Sequence, residues 1–144
     1  MAKIIIVEDD VGNGMVLSVL LSRLGGHEVR LSMDPVQILE LCRAGAVDLV
    51  VMDVSLAGCS YLGEPINGLE ITQLLKAHAA TRDIPVLLCT AHAMAGDRER
   101  FLQESSADAY LGKPVDNRTL LNEVARLLAN RPARDQDQSP APKD

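Results

Sequence analysis

Five short apolar runs of strand length recur along the chain, with segments of helical spacing between them. The runs are KIIIV (residues 3–7), HEVRLSM (27–33), VDLVVM (47–52), IPVLLCT (84–90) and DAYLG (108–112). After the first run, Val16, Leu17, Leu20, Leu21 and Leu24 fall at i, i+1, i+4, i+5 and i+8, one face of a helix. Asp34-Pro35 predicts a second helix, an acid cap followed by Pro at the first helical position, ending before Gly45. A third is predicted from about Gly68 to Ala80, with Ile71, Leu74, Leu75 and His78 inward. The fourth, from about His92 to Ser105, has only Met94, Phe101 and Leu102 as large apolar residues and should be the least firmly anchored. The last starts after Asp116 and presents Leu120, Leu121, Val124, Leu127 and Leu128. Strands alternating with helices predict an α/β fold, a doubly wound five-stranded parallel sheet covered on both faces. The expected strand order is 2-1-3-4-5.

That pattern spans residues 1–130, one domain, and a 144-residue chain is long enough to bury a core. Residues 131–144, RPARDQDQSPAPKD, lack large apolar side chains and predict a disordered polar tail. With 20 acids against 14 bases the net charge is −6, and there are two Tyr, one Phe and no Trp. Neither a basic footprint nor a stacking surface for nucleic acid is present, so no direct nucleic-acid partner is expected. No run is long enough for a signal peptide or membrane span. Cys42, Cys59 and Cys89 are odd in number and widely spaced, which argues against a disulfide framework or a zinc site and for a cytoplasmic location. Cys59 is expected to be exposed, Cys42 and Cys89 packed. His27, His78 and His92 show no partner spacing.

The chemistry gathers at strand ends. The first strand ends in Glu8, Asp9 and Asp10, the third in Asp53, the fourth in Thr90 and the fifth in Lys113-Pro114. In a parallel sheet these ends share one edge, where ligands of doubly wound folds bind. Clustered carboxylates repel and call for a neutralising charge, which a hard divalent cation such as Mg²⁺ supplies. A cation beside a carboxylate nucleophile, with a Lys and a Thr for phosphoryl oxygens, is the equipment for forming an aspartyl phosphate.

In IIIVEDD, LVVMD, LLCTAHA and YLGKP, the chain resembles the receiver domain of two-component response regulators from Met1 to about Asn130. The resemblance implies a flavodoxin-like receiver fold and a stand-alone, chemotaxis-receiver-like regulator rather than an enzyme acting on a separate substrate. It makes Asp53 the phosphoacceptor, loaded by a histidine kinase or phosphotransfer protein in the presence of Mg²⁺ and slowly self-hydrolysed. Asp9 becomes the direct metal ligand, Glu8 a ligand acting largely through water, and the backbone carbonyl of Ser55 completes the metal site with Asp53. Asp10 falls one place beyond the acidic pair. Thr90 is the switch hydroxyl, Lys113 the phosphoryl partner preceding a cis Pro114, and Tyr110 the aromatic switch residue. Output is then a protein–protein contact through the helix 4–strand 5–helix 5 face, with no membrane partner. His92, two places after Thr90, is where side chains modulate water access in this family.

One departure stands out. The family follows its acceptor with Met-Pro and a short loop, whereas Leu56-Ala57 stands here and Gly68 comes fifteen positions after Asp53. CSYLGEPIN reads as an insertion within the 56–67 loop, and α/β connections beyond about 2–6 residues are commonly functional or disordered. Three other readings are weaker. An aspartyl-phosphate phosphatase places a second acid two residues after its nucleophile, where Ser55 stands. A flavin-binding module wants a Gly- and hydroxyl-rich phosphate loop where EDD would repel phosphate. A degenerate receiver, working as an interaction module without phosphorylation, sits poorly with a full set of acids, Thr and Lys.

Overall fold

The computed structural model describes residues 1–91 and 94–131. Five parallel strands form the main sheet: β1 (Lys3–Val7), β2 (Glu28–Leu31), β3 (Leu49–Met52), β6 (Val86–Thr90) and β7 (Ala109–Gly112), in the order β2-β1-β3-β6-β7. Counted among themselves they run 2-1-3-4-5, as expected. The helices are α1 (Val11–Val19), extended by a π-helical turn (Leu20–Leu24), α2 (Pro35–Arg43), α3 (Gly68–Ala77), α4 (Asp97–Ser105) and α5 (Asn117–Asn130).

Alternation along the central strands divides the core into two layers. Ile5, Val7, Val50, Met52, Val86 and Leu88 face α2, α3 and Phe101 of α4. Ile4, Ile6, Leu49, Val51, Leu87 and Cys89 face Leu17 and Leu21 on one side and Leu120, Val124 and Leu127 of α5. Strands buried on both faces need apolar residues at every position, which is why these read as unbroken runs. Side-chain caps start α1, α2 and α5: Asp10 accepts from the Asn13 amide at 2.8 Å, Asp34 from Val36 at 3.0 Å and Asp116 from Thr119 at 3.0 Å. Asn67 and Glu70 form a reciprocal capping box at α3.

Several expectations are corrected. Val16 and Leu24 are 60% and 64% exposed. The stripe of α1 narrows to Gly14, Leu17 and Leu21, and the wider π turn rotates Leu24 off the inner face. His78 ends α3 and is exposed. The fourth helix begins at Asp97, because Gly96 before it is left-handed at φ +87°; His92, Ala93 and the tail after Arg131 lie outside the described residues. Its stripe is as thin as expected, with Phe101 and Ser105 buried. Cys59 is 5% exposed, belongs to the core, and donates its thiol to the Met33 carbonyl at 3.3 Å.

The insertion is an ordered hairpin. β4 (Ser60–Tyr61) pairs antiparallel with β5 (Glu64–Pro65), and the base closes through the Ile66 amide to the Cys59 carbonyl at 3.1 Å. Leu62 (φ +54°) and Gly63 (φ +83°) form its two-residue turn. Two positive φ angles mark a type I′ turn, which favours Asn-Gly and strains a leucine. Leu62 is also 83% exposed, so it gains nothing from packing. Leu62→Asn is therefore expected to raise unfolding free energy by about 0.5–1 kcal/mol, read from the urea midpoint. An unchanged or lowered midpoint contradicts the strain.

Candidate functional site

Sheet register assembles the site. β1 and β3 pair Val7 with Met52, so Glu8 and Asp53 leave neighbouring strand ends together. The Asp53 amide donates to the Val7 carbonyl at 2.9 Å and fixes that juxtaposition. β6 and β7 pair Thr90 with Gly112, and the next residue, Lys113, donates its amide to the Thr90 carbonyl at 2.9 Å. The first turn of α3 closes over the acceptor strand, with the Gly68 amide donating to the Val54 carbonyl at 2.9 Å. A Cβ on Gly68 would fall 1.8 Å from the Asp53 carbonyl oxygen, so only glycine permits the approach.

Asp53 is 7% exposed at the floor of this edge. Lys113 Nζ donates to Glu8 Oε1 and, at 3.3 Å, to Asp53 Oδ2, bridging the two buried acids. The Ser55 amide donates to Asp53 Oδ1 at 3.3 Å. One carboxylate oxygen each from Glu8, Asp9 and Asp53 lies within 4.8 Å of the others. Asp10 is absent from that group because its side chain caps α1. Thr90 is buried at the end of β6, the Lys113–Pro114 peptide is cis, and half-buried Tyr110 lies against Phe101 with ring centroids 6.3 Å apart. Glu8, Asp9, Asp53, Ser55, Thr90 and Lys113 therefore come to one edge of the sheet, while Tyr110 sits within β7, paired with Leu88. A contact the sequence did not disclose is the Ala57 amide, which donates to Asp9 Oδ2 at 3.1 Å.

The electrostatics follow from burial and proximity. Burial pushes the Glu8 carboxyl up, the Lys113 hydrogen bond pulls against it, and neighbouring Asp53 adds to the rise. Burial disfavours the Lys113 ammonium, but the bond to Glu8 and the charges of Asp53 and Glu8 outweigh it, so its pKa is raised. Burial also pushes the nearby Cys89 thiol up to about 11, leaving it an inert core residue. Three clustered carboxylates, two of them bridged by one ammonium, are under-neutralised. Oxygen donors without imidazole or thiolate suit a hard divalent cation, so the donor set fits Mg²⁺.

The family model described as the response regulator receiver domain matches residues 4–125. The polar-differentiation response regulator DivK of Brucella anthropi is 36% identical over 128 residues, covering 89% of this chain and 97% of that protein. Among solved structures, the receiver domain of the sensor histidine kinase PA1611 from Pseudomonas aeruginosa, with a magnesium ion coordinated in its active-site cleft, superposes with a TM-score of 0.75. It is 29% identical and covers 90% of this chain and 98% of that one. The Vibrio cholerae chemotaxis protein CheY4, 22% identical, shares the fold with a TM-score of 0.73 over 88% of this chain and 98% of its own. The chain belongs to the response regulator receiver domain family.

Proposed function

We propose that this receiver accepts a phosphoryl group on Asp53 from a histidine kinase or phosphotransfer protein, in a Mg²⁺-dependent reaction. The observation that carries the reading is the convergence of Glu8, Asp9 and Asp53 within 4.8 Å, with Lys113 across Glu8 and Asp53. A carboxylate oxygen of Asp53 attacks phosphorus. The new P–O bond forms as the P–N bond of the donor phosphohistidine breaks, and its electron pair leaves with the imidazole nitrogen. Asp9, Asp53, the Ser55 carbonyl and, through water, Glu8 would hold the cation, which when bound offsets charge on the phosphoryl oxygens. Lys113 would turn from the acids to a phosphoryl oxygen, and the Thr90 hydroxyl would take another. Water later attacks the same phosphorus, releasing inorganic phosphate and restoring Asp53. Cys42, Cys59 and Cys89 are in no disulfide, which accords with the cytoplasmic setting of this proposal.

The donor needs a route to Asp53 and the loaded form needs an outlet. Val11, Met15, Val16 and Val19 are exposed at i, i+4, i+5 and i+8 on the helix that starts just after the acidic pair. That apolar face adjoins the site and supports approach of the donor there. Thr90 and Lys113 sit at the ends of β6 and β7, which lead into α4 and α5, and this supports an output surface on the α4–β7–α5 face. Few apolar contacts hold α4, which makes it the element displaced at least cost, with Tyr110 turning as Thr90 moves toward the phosphoryl group. A phosphorylation-independent interaction module is the competing reading, and the following measurements separate the two.

Incubation with a small phosphodonor is expected to add one phosphoryl group by intact mass with Mg²⁺ and none with a chelator. Asp53→Asn should abolish the gain, and Asp9→Ala should weaken Mg²⁺ binding far more than Asp10→Ala. Equal loss at both positions would place the acidic pair one residue too early. A second expectation concerns pH. Lys113→Met removes the partner of two buried carboxylates and should cost about 3 kcal/mol of stability at pH 7. Without the ammonium, the folded-state pKa of Glu8, already raised by burial, rises further above its unfolded value. The folded chain then binds more protons than the unfolded one, so the deficit grows as pH rises from about 4 to 7. Urea unfolding across that range checks it; a pH-independent deficit would mean that Lys113 acts through packing alone.

A further inference from the structure

Ala57 lies in the loop that leads from the acceptor strand into the inserted hairpin, between two buried residues. Leu56 and Cys59 both belong to the core layer beneath α2 and α3, and the Cys59 thiol is bonded to the Met33 carbonyl. The hairpin closes on itself at the Ile66 amide, and α3 resumes with the Gly68 amide on the Val54 carbonyl. The Ala57 N–H is therefore delivered from a segment pinned at both ends. Its acceptor, Asp9 Oδ2, belongs to an exposed acid on a loop, the member of the carboxylate group with least support from its surroundings. Carboxylates that ligate metals are themselves hydrogen-bonded, and loss of that outer bond typically weakens metal affinity by about 10–100-fold.

We propose that the loop entering the inserted hairpin is a metal-affinity element, with the Ala57 amide as the positioning group that holds Asp9 ready for the cation. The inference rests on the Mg²⁺ site proposed above and adds to it a donor from outside the ligand set. A carboxylate has two oxygens. With Oδ2 held by Ala57, Oδ1 remains for the cation, and the rotamer freedom that Asp9 would otherwise lose on binding is already spent. The insertion is thus tied to the site through one backbone hydrogen bond, whatever its tip touches. Linkage makes the effect mutual: what tightens the loop tightens the metal, and metal binding should tighten the loop.

Proline tests this directly because it removes the N–H. The turn at 57–58 carries its positive φ on Gly58 (+73°), the arrangement in which Pro is favoured at the preceding residue. Ala57→Pro should therefore fold, and Ala57→Ser keeps the amide as a control. Mg²⁺ titration of the ¹⁵N-labelled full chain is expected to give a Kd about tenfold or more higher for Ala57→Pro. Ala57→Ser should stay within about twofold of the parent, on the same footing, and urea midpoints of all three in chelator should agree. In the parent, Mg²⁺ should slow hydrogen exchange at the Ala57 amide, a readout that needs no variant. Parent-like affinity in a folded Ala57→Pro, or unchanged or faster exchange at Ala57 in saturating Mg²⁺, overturns the positioning role while leaving the metal site standing. No Mg²⁺-dependent shifts at Glu8, Asp9 and Asp53 in the parent overturns both.

Discussion

Three carboxylates within 4.8 Å of one another, two of them largely withdrawn from water, set the terms on which this edge of the sheet exists. At that separation each pair of full charges repels by roughly 3 kcal/mol at an effective dielectric of about 20. A single ammonium answers them. Lys113 reaches Glu8 and Asp53 from the end of β7, two strands away from Asp53's own, and can do so because the β6–β7 register brings it beside Thr90. The raised pKa of both Glu8 and Lys113 is a consequence of that arrangement: burial strains the acid, while the surrounding acids hold the proton on the base. The balance leaves negative charge in excess, which is the charge the proposed divalent cation would offset.

The site's residues were legible from sequence because parallel topology converts a one-dimensional pattern into a shared location. Each central strand is a largely apolar run whose first polar residue falls at the carboxyl edge, which yields Glu8, Asp53 and Thr90; Lys113 ends the edge strand β7 at the same edge. The helix ends were legible where a side chain caps them, as at Asp34 and Asp116. Legibility failed where backbone geometry departs from the regular period. The π turn after α1 breaks the 3.6-residue count, so Leu24 fell outside the stripe that spacing assigned to it. At α4, a left-handed Gly96 postpones the helix, and no periodicity of apolar residues records a glycine's φ.

The inserted hairpin was hidden for a related reason. Its strands are two residues each, too short for alternation to show, and its turn is Leu-Gly rather than Asn-Gly. Cys59 looked like an exposed loop thiol because nothing around it in sequence is apolar enough to suggest a core. Its burial comes from Met33 and the start of α2, brought there only by the fold. Contacts between backbone groups are likewise silent in sequence. The Ala57 amide on Asp9 could not be anticipated from an alanine, although the replacement of the family's proline by a residue bearing an N–H was visible from the start.

That silence bears on how such a domain can vary. The acids and Lys113 are constrained by charge, and Gly68 by the lack of room over the Asp53 carbonyl. Between Val54 and Gly68 the constraint is different: the chain must leave the core after Leu56, return at Cys59, and close again at Ile66 and Gly68. Whatever lies between Cys59 and Ile66 is enclosed by its own hydrogen bonds, so it can lengthen at small entropic cost without disturbing the strands. The anchors on either side of Ala57 do not share that freedom, since they fix where its amide points relative to Asp9. The excursion is thereby mounted on a base that lies one hydrogen bond from Asp9. Change at the hairpin can therefore reach the acidic cluster through that base, because the Ala57 amide is bonded to Asp9.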